Sequence, residues 1–366
     1  MDAEIAAWQR MHETERRLVR QTIEYALSTW GQDLFANGLR HFTYTKGSPE
    51  SLMMALPAFD RWFAFSWIPN LELEEEDLRV PDTWPTATLA VAWLTSQLAP
   101  VDDFDRAFVV TAAASPYSLL RVEGIRSGWA LSVMDLLTGR RFVVVDPEIS
   151  AHARPDDILF SAVLTLDGIS MLLGPAPYTL PPDWRFEMIE YRRGYGDGSN
   201  TWLTRAALVE LGMGGDFCAE YREACDRGPV SIPELHVGEH PPEPIHLEWT
   251  VSLPFDNILE CLRPLTLCYE DEFAIDLENG AGGEPHALLT WYQRGPSAEW
   301  NDWAAIGYLY LDEGRLTAVV PARMLSDRLI AEVRARLGAA ATLVETRPSA
   351  PVRVHTRGCW WPVLMK

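Results

Sequence analysis

The chain has 366 residues, 48% of them hydrophobic and 23% charged, the composition of an ordinary globular protein long enough to bury more than one core. Its formal net charge of −21 opposes approach to phosphate backbones and anionic lipid, so nucleic acid is disfavoured as a partner. No run approaches the roughly 18 consecutive apolar residues of a membrane span, and no apolar stretch follows the first charges; a cytoplasmic protein with no membrane partner is expected.

Between Asp2 and Trp30 the apolar residues Leu18, Val19, Ile23, Ala26, Leu27 and Trp30 recur at three and four, the stripe of an amphipathic helix. A second helix is predicted over Ala58–Trp67, between Pro57 and Pro69. A third begins near Pro85 and carries Leu89, Trp93, Leu94 and Leu98, and a fourth runs from Asp102 to Ala114. The carboxylates Glu72, Glu74, Glu75, Glu76 and Asp77 fall between the second and third helices and read as a solvated acidic face.

At Ser115-Pro116 the pattern changes from helical to alternating. Tyr117–Ile125, Trp129–Leu136, Arg141–Asp146, Ile158–Leu166 and Ile169–Leu173 read as five short strands broken by turn residues, the content of a small SH3-like or OB-like barrel. OB barrels often bind oligonucleotides, but residues 116–180 hold five arginines against seven acids and lack a basic groove. A structural or protein-contact barrel suits them better.

Pro175, Pro177, Pro181 and Pro182 mark an exit from the barrel. A helix near Trp184–Arg193, a glycine-rich loop and a helix over about Trp202–Leu211 follow, with Ser199-Asn200-Thr201 offering caps. A proline-rich linker occupies Pro229–Pro244. Beyond it, strand, helix and strand patterns lead to a hairpin of Ile306–Leu311 and Leu316–Val320, an amphipathic helix closed by Gly338, and a last strand over Ala341–Thr346. The strands are grouped rather than alternating with helices, so the fold class is α+β: an N-terminal helical region, a central five-stranded barrel of SH3 or OB type, and a C-terminal antiparallel α+β domain. The expected divisions are 1–115 (helical), 116–180 (barrel), 181–244 (helical segment and linker), 245–350 (α+β domain) and 351–366 (apolar tail).

The five cysteines, Cys218, Cys225, Cys261, Cys268 and Cys359, contain no CxxC pair and are odd in number, which argues against a disulfide framework and a thiolate zinc site. Imidazole and carboxylate crowd together instead at Glu234, His236, Glu239, His240, Glu243, His246 and Glu248. His236, His240 and His246 are therefore the candidate ligands for a divalent metal, although Pro241, Pro242 and Pro244 deny them a regular helix. No other cofactor is indicated. No GxSxG, HExxH or phosphate-loop pattern occurs, so no catalytic residue is assigned. Of 15 tryptophans, Trp360 and Trp361 stand in an apolar tail that must dock on its own domain or cover a partner, and they are the candidate partner contacts.

Phe59-Asp60-Arg61-Trp62-Phe63, Ser115-Pro116-Tyr117-Ser118-Leu119-Leu120-Arg121-Val122, Met134-Asp135-Leu136-Leu137-Thr138-Gly139 and Arg154-Pro155-Asp156-Asp157-Ile158-Leu159 occur in an order that resembles a group of uncharacterised bacterial proteins often carrying a SEC-C zinc motif. The hairpin over Gly307–Val320 and the helix ending Arg336-Leu337-Gly338 are similar as well. The resemblance spans roughly residues 58–347 and implies the order of modules and a barrel, with no activity attached. The zinc motif itself, CxC followed by a CC or CH pair, is absent, so no ligand carries over. The function expected is that of a non-enzymatic binding or adaptor protein acting through protein contacts. The alternative is a metal-dependent, hydrolase-like enzyme built on the histidine cluster.

Overall fold

The computed structural model describes residues 2–42, 58–69, 81, 83–96, 101–176, 178–180, 184–185, 188, 192, 202–210, 244–268, 272–279, 285–294, 303–312, 314–348 and 353–354. They fall into two compact units: one holds the chain through Pro182, the segment from Leu203 and the final short strand, and the other holds Asp183–Trp202 and the C-terminal sheet.

In the first unit, α1 (Asp2–Phe42) is longer than its periodicity predicts. Gly31, at φ +78°, breaks the helical backbone, and the chain then resumes a helix that buries Leu34, Gly38 and Phe42. A glycine is required again at Gly38, where a Cβ would stand 2.6 Å from Phe63 Cδ2, because the Phe63 ring of α2 (residues 58–65) lies against the α1 backbone there. Phe35, Phe42, Phe59, Trp62, Phe63 and Trp67 interlock edge-to-face and stacked around that crossing. The helices α3 (Leu89–Ser96) and α4 (Asp103–Ala113) also pack on α1, and Asp102 caps α4 by accepting Phe104 N–H at 2.7 Å. Arg17 clamps α4 to α1 through a two-pronged pair with Asp105 at 2.6 and 2.9 Å.

The five predicted barrel strands form, as β1 (Tyr117–Arg126), β2 (Ala130–Asp135), β3 (Arg141–Val145), β4 (Ile158–Leu166) and β5 (Ile169–Leu173). Their order is β1-β2-β3-β5-β4, with β4 returning to β1, a closed Greek-key barrel of the OB type. β1 serves two partners because a bulge between Val122 and Gly124 bends it: Tyr117–Arg121 pair with β4, and Leu120–Arg126 pair with β2. Only β3 and β5 are parallel, joined through the single pair Val144 and Ser170, the barrel's thinnest closure. Leu120, Val122, Leu131, Val133, Val144, Leu159 and Leu172 fill the interior, and Ile149 of the short helix α5 (Pro147–Ser150) packs into them. Two further strands, β6 (Tyr178–Leu180) and β15 (Arg353–Val354), extend the sheet from β4. The helix α6 (Arg205–Glu210) is capped by Thr204, whose hydroxyl accepts Ala207 N–H at 3.0 Å. Ser199–Thr201, the caps expected from sequence, lie outside the described residues.

In the second unit, β10 (Ile275–Asn279), β11 (Pro285–Arg294), β12 (Trp303–Asp312), β13 (Arg315–Val320), β7 (Ile245–Val251) and β14 (Ala341–Pro348) form an antiparallel sheet in that order. A separate two-stranded ribbon pairs β8 (Leu267–Cys268) with β9 (Glu272–Phe273). The helices α7 (Phe255–Leu262) and α8 (Arg323–Leu337) pack on the six-stranded sheet and on each other. Period-two alternation sends Leu247, Trp249, Leu289, Trp291, Leu309, Leu311, Leu316 and Ala318 to one buried face and aligns His246, Glu248, Thr317, Tyr310 and His286 on the other. The fold is therefore α+β, with a helical front, a closed five-stranded barrel and a C-terminal antiparallel sheet. Among the described residues no helix is long and apolar enough to cross a membrane.

Candidate functional site

Along β1, β2 and β4 the inward positions read Ser118-Leu120-Val122, Leu131-Val133-Asp135 and Leu159-Ser161-Val163. At one end of the barrel, polar residues thus replace the apolar filling. There a small, shallow, open pocket is lined by Ser118, Asp135, Thr138, Arg140, Ser161 and Arg205 together with Leu120, Phe142 and Val163.

The turn that carries three of these residues explains the sequence Asp-Leu-Leu-Thr-Gly. Asp135 Oδ1 accepts the backbone N–H of Leu137 at 2.9 Å and of Thr138 at 3.2 Å, an Asx-type arrangement, and also the Ser118 hydroxyl at 2.5 Å. Gly139, at φ +68°, reverses the chain and returns its N–H to the Asp135 carbonyl. Asp135 is thereby committed as an acceptor to three donors, which suits a fixed wall better than a general base. The parallel motif Arg154-Pro155-Asp156-Asp157 does similar work where β4 begins: Asp157 accepts Arg154 N–H at 2.7 Å, and Asp156, at φ +64°, gives its N–H to Val122.

Arg205 reaches the pocket from α6, which is tied down by Leu203 N–H donating to the Leu137 carbonyl. Its guanidinium donates to the Ala114 carbonyl at 2.6 Å and to Ser115 Oγ at 2.8 Å, two of its five N–H groups, at the C-terminus of α4 where partial negative charge collects. Burial pushes its pKa down, the neighbouring Arg140 pushes it further, and Asp135 opposes both. Arg140 is exposed and lies over the Phe142 ring at 5.2 Å. The arginines outside the mouth differ: Arg121 and Arg141 share Glu123 at 3.0 and 3.1 Å. No carboxylate among the described residues pairs with Arg140 or Arg205 at ion-pair distance. Thr138 lines the same pocket, but its hydroxyl is buried beneath the surface and has no hydrogen-bond partner. Two guanidiniums therefore line one open pocket, the chemistry that attracts an oxyanion.

Of the residues singled out from sequence, His246 lies on β7, 2% exposed, between Val319 and Arg347 of the adjoining strands. His236 and His240, the rest of the linker cluster before Pro244, the acidic run at Glu72–Asp77, and Trp360 and Trp361 lie outside the described residues. Among the described residues no three histidine, cysteine or carboxylate groups gather as a metal site. Cys261 and Cys268 are unbridged and half-buried. The mouth was missed because its parts stand far apart in sequence: Arg205 follows Arg140 by a whole barrel half, and an arginine after a turn carries no motif. The turn itself was visible.

The fold and its mouth define an α+β protein with a closed barrel whose open end holds two guanidiniums beside the one carboxylate of Asp135. No protein-family model, no curated protein and no solved structure matches the chain.

Proposed function

We propose that this is a non-enzymatic, cytoplasmic binding or adaptor protein, and that the barrel mouth is the contact through which it holds an acidic group of a protein partner. One observation carries the reading: Arg140 and Arg205 converge on an open pocket with no carboxylate partner among the described residues, in a chain whose net charge is −21. The two neighbouring guanidiniums repel each other, and an incoming anion relieves that repulsion. The engagement of Asp135 Oδ1 by Ser118 and two backbone N–H groups gives that side chain a structural role in the turn, which supports a fixed binding surface.

The test is crosslinked capture from the native cells with the wild-type chain and with Arg140→Glu. A defined protein crosslinked through the mouth and lost on charge reversal supports the reading. A set of captured proteins unchanged by the reversal, or turnover of a substrate at the mouth, overturns it.

A further inference from the structure

We infer that the outer face of β1, β2 and β3, from the mouth to the β1–β2 turn, is a docking surface for an extended acidic segment of a partner protein. The inference rests on the reading of the mouth as a contact for an acidic group and gives that contact its continuation. Its basis is the division of charge around the barrel. Residues 117–145, which contain β1, β2 and β3, hold Arg121, Arg126, Arg140 and Arg141 against Glu123 and Asp135, and α6 brings Arg205 to the mouth beside them. Residues 146–180 hold five carboxylates against Arg154 alone, so the negative balance of the whole module conceals a positive side. Both carboxylates of that side are already engaged. Glu123 is shared by Arg121 and Arg141, and Asp135 Oδ1 holds the turn. Arg126 is exposed, lies over the Trp129 ring at 4.8 Å and has no carboxylate at ion-pair distance among the described residues.

Strand alternation shapes this face. Val122, Leu131, Val133 and Val144 point into the barrel, so Gly124, Ser132 and Val143, in register across the three strands, point outward. Their small side chains make a low saddle. On its mouth side stands the row Arg121, Met134 and Arg141, with Arg140 beyond, and on its far side stand Arg126 and Trp129. Val143, 60% exposed, offers an apolar contact on the saddle itself. The helices α1 and α4 pack on β5 and β4, and Arg126, Arg141 and Val143 stay open to solvent. From the mouth to Arg126 is roughly 20 Å, the reach of about six extended residues. The matching occupant therefore carries carboxylates at its two ends and a small aliphatic residue between them. A polynucleotide suits this face less well, because it would lay continuous phosphate charge across an uncharged saddle on a chain of net charge −21. Repulsion from that net charge is screened within about 8 Å at physiological ionic strength, so the local arginines decide at contact.

The test measures fluorescence anisotropy of three labelled probes titrated with the full chain: the hexapeptide Asp-Glu-Val-Val-Glu-Asp, its counterpart with lysine at every acidic position, and a thymidine octanucleotide. Expected is saturable binding of the acidic peptide that weakens as sodium chloride is raised, and none of the lysine peptide. Arg126→Glu and Val143→Asp, both at exposed positions and each checked for an unchanged melting temperature, weaken the acidic peptide by about tenfold or more, while Arg126→Lys retains most of the binding. Equal binding of the lysine peptide, or no saturable binding of the acidic one, overturns the inference. Tighter binding of the octanucleotide overturns it in favour of a nucleic-acid surface. A dimer seen by light scattering and abolished by Arg126→Glu overturns it in favour of a second copy of this chain. If Arg140→Glu weakens the acidic peptide while Arg126→Glu and Val143→Asp do not, the extended surface is lost and the mouth reading stands. If only the two face variants weaken it, the mouth reading is lost and the outer face stands.

Discussion

The Ser118 hydroxyl on β1 donates to Asp135 Oδ1 at the end of β2 at 2.5 Å, and the same oxygen receives the backbone N–H groups of Leu137 and Thr138. One buried oxygen thus fixes both the turn that presents Thr138 and Arg140 and the wall of the pocket beside them. Asp135→Ala leaves two backbone donors unmet and is expected to destabilise the protein by about 3 kcal/mol, against about 1 kcal/mol for Ser118→Ala. Urea denaturation of the two variants checks the ranking; equal losses would show that the turn does not depend on the carboxylate.

Gly174, at φ +55°, joins the barrel to the helices. Its N–H donates at 3.0 Å to Glu15 Oε1, which also accepts Arg61 Nε at 3.3 Å, and a Cβ there would stand 2.6 Å from Arg61 Cβ and press on the Tyr117 hydroxyl. Gly174→Ala combines a left-handed backbone with a collision in a closed core. A loss of about 3 kcal/mol or more is expected, read as a fall in melting temperature.

The Glu15 side chain is fully enclosed and serves Arg61, His12 and the Gly174 N–H together. Glu15→Ala leaves these buried groups without their acceptor and is expected to cost roughly 3–5 kcal/mol, and Glu15→Gln less, because an amide oxygen still accepts the Gly174 N–H. Urea denaturation of both variants tests the order, and equal losses would show that the charge of Glu15, rather than its acceptor role, sets the stability.

Burial pushes the Asp60 carboxyl above its ordinary range, against the pull of Arg61. A raised pKa in the folded state means that the folded protein favours the protonated acid. The favourable difference is complete below the unfolded-state pKa and disappears as pH rises through the raised value, leaving a buried carboxylate that the unfolded chain does not suffer. Asp60→Asn is therefore expected to raise the melting temperature at pH 7 and to lose that advantage as the pH is lowered into the ordinary aspartate range. Melting curves at pH 7 and pH 4 check the sign.

Burial, with Glu272 next, raises the Cys268 thiol pKa, so less thiolate is present near neutrality. Iodoacetamide labelling followed by peptide mass spectrometry is expected to proceed at Cys268 more slowly than at an unstructured thiol at pH 8, and the gap to narrow as pH rises.

The elements that were legible are those whose information is local. Period-two runs bounded by Ser127-Gly128, Thr138-Gly139 and Asp167-Gly168 became β1–β5 with their turns, and the hairpin Ile306–Val320 became β12 and β13, because alternation and turn glycines report burial and φ directly. The extension of α1 past Gly31 was not legible, since a glycine at that position reads as a stop. Only burial of Leu34 and Phe42 beyond it, with Gly38 packed on Phe63, accounts for the continued helix. The parallel pairing of β3 with β5 was equally hidden, as strand order depends on which apolar faces meet rather than on any segment's own pattern.

The sequence by itself determined the α+β class, the five barrel strands, the acidic balance and the Asp135–Gly139 turn, because each is set by neighbours within a few residues. Tertiary structure alone decided that Thr138, Arg140 and Arg205 share one pocket, that Ser118 and Asp135 form its wall, and that His246 lies in a sheet between Val319 and Arg347. Closure of the barrel brings distant side chains within hydrogen-bonding reach, and no spacing along the chain encodes that distance.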